Sequence, residues 1–309
     1  MRDLYGRIAG EVQKVVVGQE RVLELLVCTL SVGGHALLQG VPGVAKTLLA
    51  NSLARALDVD FRRVQFTPDM LPSDLTGTMT MRGGELAFRP GPVFANLLLA
   101  DEVNRTPPKT QAALLEAMQE AQVSVDGEPH PLPDPFLVVA TQNPIEYEGT
   151  YPLPEAQLDR FLVQIEVDYP AAEQELAMLQ RPRSGVDAGG VEQVRPVATP
   201  EDLRAVRAQV DATEVTPEVA RYVVDVVRKT RELPSVTLGA SPRAAVHLLA
   251  ASKACARLYG REFVTPDDVG YMAGPVLRHR LVLSPEAELE RYGPDEAVNT
   301  ALGAVPVPR

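Results

Sequence analysis

Residues 35–47 read His-Ala-Leu-Leu-Gln-Gly-Val-Pro-Gly-Val-Ala-Lys-Thr, and the architecture of the first half of the chain can be predicted from this segment. Its first five residues form a short apolar run bounded by turn residues, which predicts a buried strand. A loop with glycines at 40 and 43 follows, and a helical pattern then continues to residue 56. The order strand, small-residue loop, helix is typical of a phosphate-binding loop, because backbone N–H groups and a helix N-terminus both attract anions.

The residues of this loop have separate expected roles. We expect Lys46 to reach the β- and γ-phosphates of a nucleotide and the Thr47 hydroxyl to bind Mg²⁺, an ion that also bridges the phosphates. Ala45 occupies a position where the pattern has glycine, so we expect a negative φ there. The simpler alternative is a glycine-containing turn with a surface lysine. The expected nucleotide contacts in this segment are Gly40, Pro42, Gly43, Val44, Ala45, Lys46, Thr47 and Leu48.

Two later apolar segments, 95–100 and 136–141, also predict buried strands, and polar residues follow each of them. Ligands of open α/β sheets bind at the carboxyl ends of the strands. We therefore expect Asp101 to hold Mg²⁺ through water and Glu102 to act as the base toward an attacking water. Asn143 is expected to orient that water or to contact the γ-phosphate. A polar strand end and a turn asparagine are the alternatives.

Strands alternate with helices through the first half of the chain. Segments 61–66 and 161–167 add two further strands, and helical patterns cover 47–56 and 108–120. This alternation predicts a parallel α/β sheet. Apolar alternation around Gly83-Gly84 and around Asp126-Gly127 predicts two hairpins, which we place in insertions at about 67–92 and 122–135.

The second half of the chain has a different character. After a segment rich in small residues and helix breakers, a hydroxyl residue stands directly before proline at 199, 216, 241 and 265. Each pair predicts a helix start, with the hydroxyl as the N-cap and proline at the first helical position. We therefore predict a nucleotide-binding core at 1–185, a linker at 186–198 and a small all-helical domain at 199–309.

These motifs together resemble the MoxR family of AAA+ ATPases. The resemblance is carried by Walker A at 40–47, Walker B at 97–102 with Val103-Asn104-Arg105 after it, sensor 1 within 140–144, and Leu-Pro-Glu-Ala-Gln-Leu-Asp-Arg-Phe at 153–161. It spans most of the chain. The resemblance implies an α/β fold with a parallel-sheet P-loop AAA+ core (αβα) and a helical lid, with ATP and Mg²⁺ as ligands.

The resemblance also implies roles for residues that the spacing alone does not assign. Arg160 becomes an arginine finger that reaches ATP held by a neighbouring subunit, and Arg243 becomes sensor 2 on the lid. Residues Val17, Gly18 and Gln19 are expected near the adenine. An ion pair with Asp159 or Glu155 is the alternative for Arg160, and a surface ion pair is the alternative for Arg243. Arg105 is a candidate contact to the nucleotide or to a neighbouring subunit. The alternative is that it contacts neither.

Charge and composition exclude several other classes of protein. The chain has 309 residues, 45% of them hydrophobic, and its net charge is −11. We therefore expect a folded protein, with a surface that disfavours nucleic acid and with no integral membrane segment. The two cysteines and four histidines are too scattered for a disulfide or zinc framework. The start lacks a signal-peptide pattern, so a cytoplasmic location is expected.

The combined prediction is a Mg²⁺-dependent ATPase that forms a homo-oligomeric ring, as a finger acting on the next subunit requires. By the resemblance, the ring is a hexamer that remodels a partner with a von Willebrand factor A domain in a chaperone-like role, and the two hairpins face the pore or the partner. The alternatives are a nucleotide-gated switch module, a chelatase-type motor subunit for metal-cofactor insertion, and a nucleic-acid motor.

Overall fold

The computed structural model describes residues 1–41, 43–143, 150–180 and 188–308. Contacts divide the chain into two compact units. The first, which we call the sheet unit, comprises Asp3–Leu153 and Ile165–Arg204. The second, the helical unit, comprises Met1–Arg2, Pro154–Gln164 and Ala205–Arg309. Segment 154–164 thus groups with the helical unit, and the boundaries predicted at 185 and 199 stay predictions.

The regular elements follow the chain order. The strands are β1 (Ala36–Gln39), β2 (Phe61–Gln65), β3 (Gly77–Arg82), β4 (Glu85–Pro90), β5 (Leu97–Asp101), β6 (Gln122–Val125), β7 (Glu128–Pro131), β8 (Leu137–Gln142), β9 (Val163–Glu166), β10 (Val236–Leu238) and β11 (Val282–Leu283). The helices are α1 (Arg2–Val12), α2 (Glu20–Val32), α3 (Lys46–Ala56), α4 (Pro72–Thr76), α5 (Pro108–Glu120), α6 (Glu155–Leu158), α7 (Ala172–Leu179), α8 (Pro200–Asp211), α9 (Pro217–Thr230), α10 (Pro242–Leu258), α11 (Pro266–Leu277), α12 (Pro285–Leu289) and α13 (Pro294–Ala304).

A five-stranded sheet in the order β2-β5-β8-β1-β9 forms the centre of the sheet unit. The pairs β2–β5, β5–β8 and β8–β1 are all parallel, which confirms the predicted parallel α/β sheet. The first four residues of β5 and the first five of β8 are buried, as expected for central strands with both faces covered. The strands run in register, so their carboxyl ends meet at one edge.

The two predicted hairpins are present as β3–β4 and β6–β7, with turns at Gly83-Gly84 and Asp126-Gly127. They contact each other through Phe88, whose ring stacks on His130 at a centroid distance of 4.0 Å. Met81 and Leu86 pair across the first hairpin and are 69% and 68% exposed. The hairpins therefore share one aromatic stack and leave an apolar tip exposed.

Helices and one short β-ribbon make up the helical unit. The four predicted helix starts are confirmed: α8, α9, α10 and α11 begin at prolines, and Thr216, Ser241 and Thr265 accept a hydrogen bond from a backbone N–H of the first turn. The ribbon pairs β10 with β11. Among the residues that the structure describes, no helix combines the length and the apolar character needed to cross a membrane.

Candidate active site

The loop after β1 approaches the chain of β9 so closely that only glycine fits at position 40. A Cβ built on Gly40 would lie 2.3 Å from the carbonyl oxygen of Val167. The N–H of Val167 donates to the carbonyl of Gln39 at 2.8 Å, which fixes this approach. Gly43 has a φ of +85°, a conformation that favours glycine. Pro42, also predicted to contact nucleotide, lies outside the described residues.

Ala45 corrects one prediction, because its φ is +61° rather than negative. The loop needs a left-handed residue at this point to turn into α3, and the Ala45 carbonyl then accepts the N–H of Leu49 at 2.9 Å. An L-residue in this conformation costs about 1–2 kcal/mol. The glycine of the usual pattern would remove that cost, so this loop contains backbone strain.

Lys46 lies at the start of α3 beside the carboxylates of Asp101, the last residue of β5, and Glu102. Its Nζ donates to the Gly40 carbonyl at 2.5 Å. Burial lowers the pKa of Lys46, and the Asp101 and Glu102 carboxylates act in the opposite direction. Among the described residues, this carbonyl is the acceptor seen for the half-buried ammonium, and phosphate oxygens could replace it.

Thr141 on β8 connects the two carboxylates. Its hydroxyl donates to Asp101 Oδ1 at 2.6 Å and accepts the backbone N–H of Glu102 at 2.9 Å. Glu102 has a φ of +57°, so the chain turns sharply directly after β5. This turn directs Asp101 and Glu102 differently, although they are adjacent in sequence.

Three polar residues hold the carboxylates of Asp101 and Glu102 in place. Sequence analysis did not assign this role to any of them. Arg63 on β2 forms an ion pair with Asp101 at 2.7 Å. Gln65, two residues later, donates to Glu102 Oε2 at 2.5 Å, and Arg105 forms an ion pair with the same oxygen at 3.1 Å. The pairing of β2 with β5 places Gln65 opposite Asp101. Only the strand order reveals this, because β2 and β5 are far apart in sequence.

Most of the predicted nucleotide contacts in the sheet unit line one cavity of about 820 Å³. That volume is within the range of pockets that hold small ligands, about 300–1,000 Å³. The predicted residues in its lining are Val17, Gln19, Gly40, Gly43, Val44, Ala45, Lys46, Thr47, Leu48, Asp101, Glu102 and Asn143. Gly18 is not among the lining residues; a Cβ there would lie 2.6 Å from Gln174 Oε1.

One wall of the cavity was missed by sequence analysis. Tyr169, Met178 and Leu179, around α7, face the same space as the apolar residues Val15 and Val16. These side chains offer an apolar surface, which suits a flat base better than it suits phosphate. Their spacing after β9 carried no motif, so no signal in the sequence marked them.

Arg160 and Arg243, the predicted finger and sensor 2, belong to the helical unit. Arg243 lies 3.9 Å from Asp159 Oδ2 and its side chain is 46% exposed, so it makes the surface ion pair that was its alternative. Asp159 also accepts from Arg280 at 2.7 Å. In the part of the chain that the structure describes, no ion pair joins Arg160 to Asp159 or Glu155.

Comparison with known proteins agrees with this architecture. A family described as "ATPase family associated with various cellular activities (AAA)" matches residues 35–163, and an AAA lid domain matches 228–301. The chain is 44% identical to the chaperone MoxR1 of Mycobacterium tuberculosis, with 98% of this chain and 82% of that protein covered. It is also 44% identical to the uncharacterized protein YeaC of Bacillus subtilis, covering 100% and 96%. The crystal structure of a candidate ATPase from Cytophaga hutchinsonii superposes with a TM-score of 0.92 at 42% identity, covering 100% and 96%.

Proposed function

Since the chain belongs to the MoxR family of AAA ATPases, we propose that it binds and hydrolyses ATP with Mg²⁺ in a ring of identical subunits and remodels a protein partner. One observation carries the proposal. Lys46, Thr47, Asp101, Glu102 and Asn143 come from three separate segments and line a single cavity. This is the set of groups that phosphoryl transfer to water requires.

The loop and Lys46 would bind the phosphates. The loop residues lead into the N-terminus of α3, where unpaired N–H groups and the helix dipole attract anions. Lys46 Nζ would exchange the Gly40 carbonyl for phosphate oxygens, which bear full charge and therefore bind the ammonium more strongly. The apolar wall around Tyr169 would hold the base.

Glu102 would accept the proton of the attacking water. The water oxygen forms a bond to the γ-phosphorus, the bond from that phosphorus to the β,γ-bridging oxygen breaks, and ADP leaves with the electron pair. In this structure Gln65 and Arg105 both engage Glu102 Oε2. Both contacts hold Oε2, so they would orient the carboxylate, which would accept the proton of the water at Oε1. Asn143 would orient the same water.

Thr47 and Asp101 fit a magnesium ion by their chemistry. Hydroxyl and carboxylate oxygens are the donors that Mg²⁺ prefers, and both residues line the cavity. In the described residues no cluster of three His, Cys, Asp or Glu side chains forms a protein-only site, so the phosphates would complete the coordination. When bound, the ion would neutralise charge that develops on the phosphates. Thr141 keeps Asp101 oriented through its hydrogen bond to Oδ1.

The partner would meet the exposed tip of the first hairpin. Met81 and Leu86 give that tip an apolar surface, whereas Phe88 is engaged in the stack with His130. Substitution of Met81 and Leu86 by serine should therefore separate remodelling from ATP hydrolysis better than substitution of Phe88. The relative named chaperone MoxR1 supports a chaperone-like role, and the family resemblance points to a partner with a von Willebrand factor A domain.

The test measures phosphate release, nucleotide binding and assembly for the unsubstituted protein and three variants. Glu102→Gln should bind ATP normally and lose about 10²–10⁴ in kcat, because the base is gone. Arg160→Ala should lose roughly 10³ or more if the finger acts on the γ-phosphate. Arg62→Ala is the matched control, since Arg62 is exposed and pairs only with Asp60 at 3.4 Å in the contacts seen for its side chain.

Mixing decides whether the site is shared between subunits. Arg160→Ala carries an intact phosphate loop, and Lys46→Ala carries an intact finger, so mixed rings should recover part of the activity. Mass photometry with ATP should show one closed ring species. Hydrolysis by a monomer, or no recovery on mixing, would contradict the shared site. ATP binding without hydrolysis by the unsubstituted protein would favour the switch module instead.

A further inference from the structure

A buried arginine in the helical unit holds the segment that carries Arg160. Arg280 follows α11 in a short 3₁₀ turn, Arg278–Arg280, and its side chain is 1% exposed. A buried guanidinium is costly unless its charge is paired and its N–H groups are satisfied. The environment of Arg280 meets both conditions, and most of its partners come from one short segment.

The partners of Arg280 flank position 160 on both sides. Its guanidinium donates to Asp159 Oδ1 at 2.7 Å and to the Asp159 carbonyl at 3.3 Å. It also donates to the carbonyls of Phe161 at 2.6 Å and Leu162 at 3.3 Å. Two further acceptors complete the set, the Val276 carbonyl and His247 Nδ1. The backbone before and after Arg160 is therefore attached to one rigid planar group.

A second residue of the same turn adds to this attachment. His279 Nε2 lies 3.2 Å from the Phe161 carbonyl and is its hydrogen-bond donor, since a carbonyl can only accept. His279 is buried, and burial lowers its pKa well below the ordinary value. It is thus neutral in the fold and adds no charge beside Arg280.

Arg160 itself is held differently from its neighbours. Its side chain is half-buried, and among the described residues no ion pair fixes its guanidinium. The backbone of this residue is fixed, while within the described ranges no carboxylate pairs with its charged end. That combination suits a side chain that must reach a ligand outside its own unit, because the backbone contacts already restrict the conformational freedom of the residue.

We propose that Arg280 is a positioning residue that clamps segment 159–162 and so presents Arg160. The inference rests on the proposed function of Arg160 as the finger, but the clamp itself can be measured without ATP. Arg280 does not touch nucleotide in this assignment; it acts through Arg160. Lysine cannot replace it, because an ammonium has three donors and no planar fork.

The first experiment measures order at position 160 directly. Arg160→Cys carries a nitroxide spin label, and the spectrum is recorded with Arg280 intact, with Arg280→Lys and with Arg278→Lys. Cys28 and Cys255 are buried, and reagent-treated protein without the new cysteine checks that they do not react. The label should be restricted with Arg280 and mobile in Arg280→Lys. Arg278 lies in the same turn as Arg280 but pairs with Asp295 on α13 at 3.0 Å, so its substitution should leave the spectrum unchanged.

The second experiment is a double-substitution cycle on ATP hydrolysis. Arg280→Lys should lower kcat about 10- to 100-fold, as expected for a misplaced catalytic group, with nucleotide affinity within about twofold of normal. In an Arg160→Ala background the same change should have no further effect. If the two substitutions lower kcat by the product of their separate effects, Arg280 acts by another route and the proposal is wrong.

The two experiments separate the possible failures. If the label is mobile in Arg280→Lys but Arg160→Ala keeps a normal kcat, the finger assignment is wrong and the clamp stands. An unchanged label in Arg280→Lys, or unchanged kcat in that variant when Arg160→Ala is impaired, would reject the clamp while the finger remains. If Arg280→Lys does not melt cooperatively, Asp159→Asn replaces it in both experiments, since it removes the charge that pairs with Arg280.

Discussion

Two arginine–aspartate pairs in this protein have the same separation and different surroundings. Arg63 and Asp101 at the sheet edge lie 2.7 Å apart, as do Arg280 and Asp159 in the helical unit. The Arg63 side chain is 49% exposed, whereas that of Arg280 is 1% exposed and donates to five further acceptors. The exposed pair can exchange partners at little cost, and the buried pair cannot. Distance alone therefore does not distinguish a ligand-ready contact from a fixed one.

The largest difference between the two pairs should appear in stability. Arg280→Ala leaves acceptors unpaired around a buried space, and breaking such a pair typically costs about 3–5 kcal/mol of unfolding free energy. Arg63→Ala should cost no more than about 1 kcal/mol, because water replaces the arginine. Urea unfolding followed by circular dichroism measures both. Equal losses would show that burial does not separate the two pairs.

Unfolding free energy measured against pH should separate the two pairs further, because His247 accepts a hydrogen bond from Arg280 of the buried pair. Burial, and then the charges of Arg280 and Arg243 against that of Asp159, lower the pKa of His247 to about 4. The unfolded chain binds the proton near pH 6.5, so stability is lost as pH falls from about 6.5 to about 4, on the order of 2 kcal/mol at about pH 5.

The His247→Gln variant isolates that contribution. Its amide oxygen can still accept from Arg280, and it has no proton to gain, so its stability should fall less than that of the unsubstituted protein over the same pH range. The difference between the two urea-midpoint curves is the measurement. Parallel curves would mean that His247 does not titrate on unfolding.

The smallest expected effect concerns the loop beside the exposed pair. Ala45→Gly should raise the unfolding free energy by about 0.5–1 kcal/mol, since the left-handed cost of alanine exceeds the extra chain entropy of glycine. Gly43→Ala, at a φ of +85° with open space for the methyl group, should shift stability in the opposite direction. Thermal unfolding without nucleotide compares them. A loss of stability in Ala45→Gly would show that the loop is not strained.

Local patterns were enough to predict much of the fold. The apolar runs before Gly40, Asp101 and Asn143 are all strands, and the hydroxyl–proline pairs all begin helices. These features follow from neighbours within a few residues, so the sequence contains their causes. The φ predicted for Ala45 was wrong, because the requirement for a left-handed residue comes from the path of the loop between β1 and α3, which the residue type does not reveal.

Residues at strand ends and helix starts could be identified from sequence, because periodicity, capping and turn chemistry are local. The contacts of Arg63 with Asp101 and of Gln65 with Glu102 depend on strand order, so they became visible only in the folded chain. The same holds for the contact between Arg280 and Asp159, which are 121 residues apart. The physical reason is that partners for buried charges are chosen by packing in space, and no spacing along the chain records that choice.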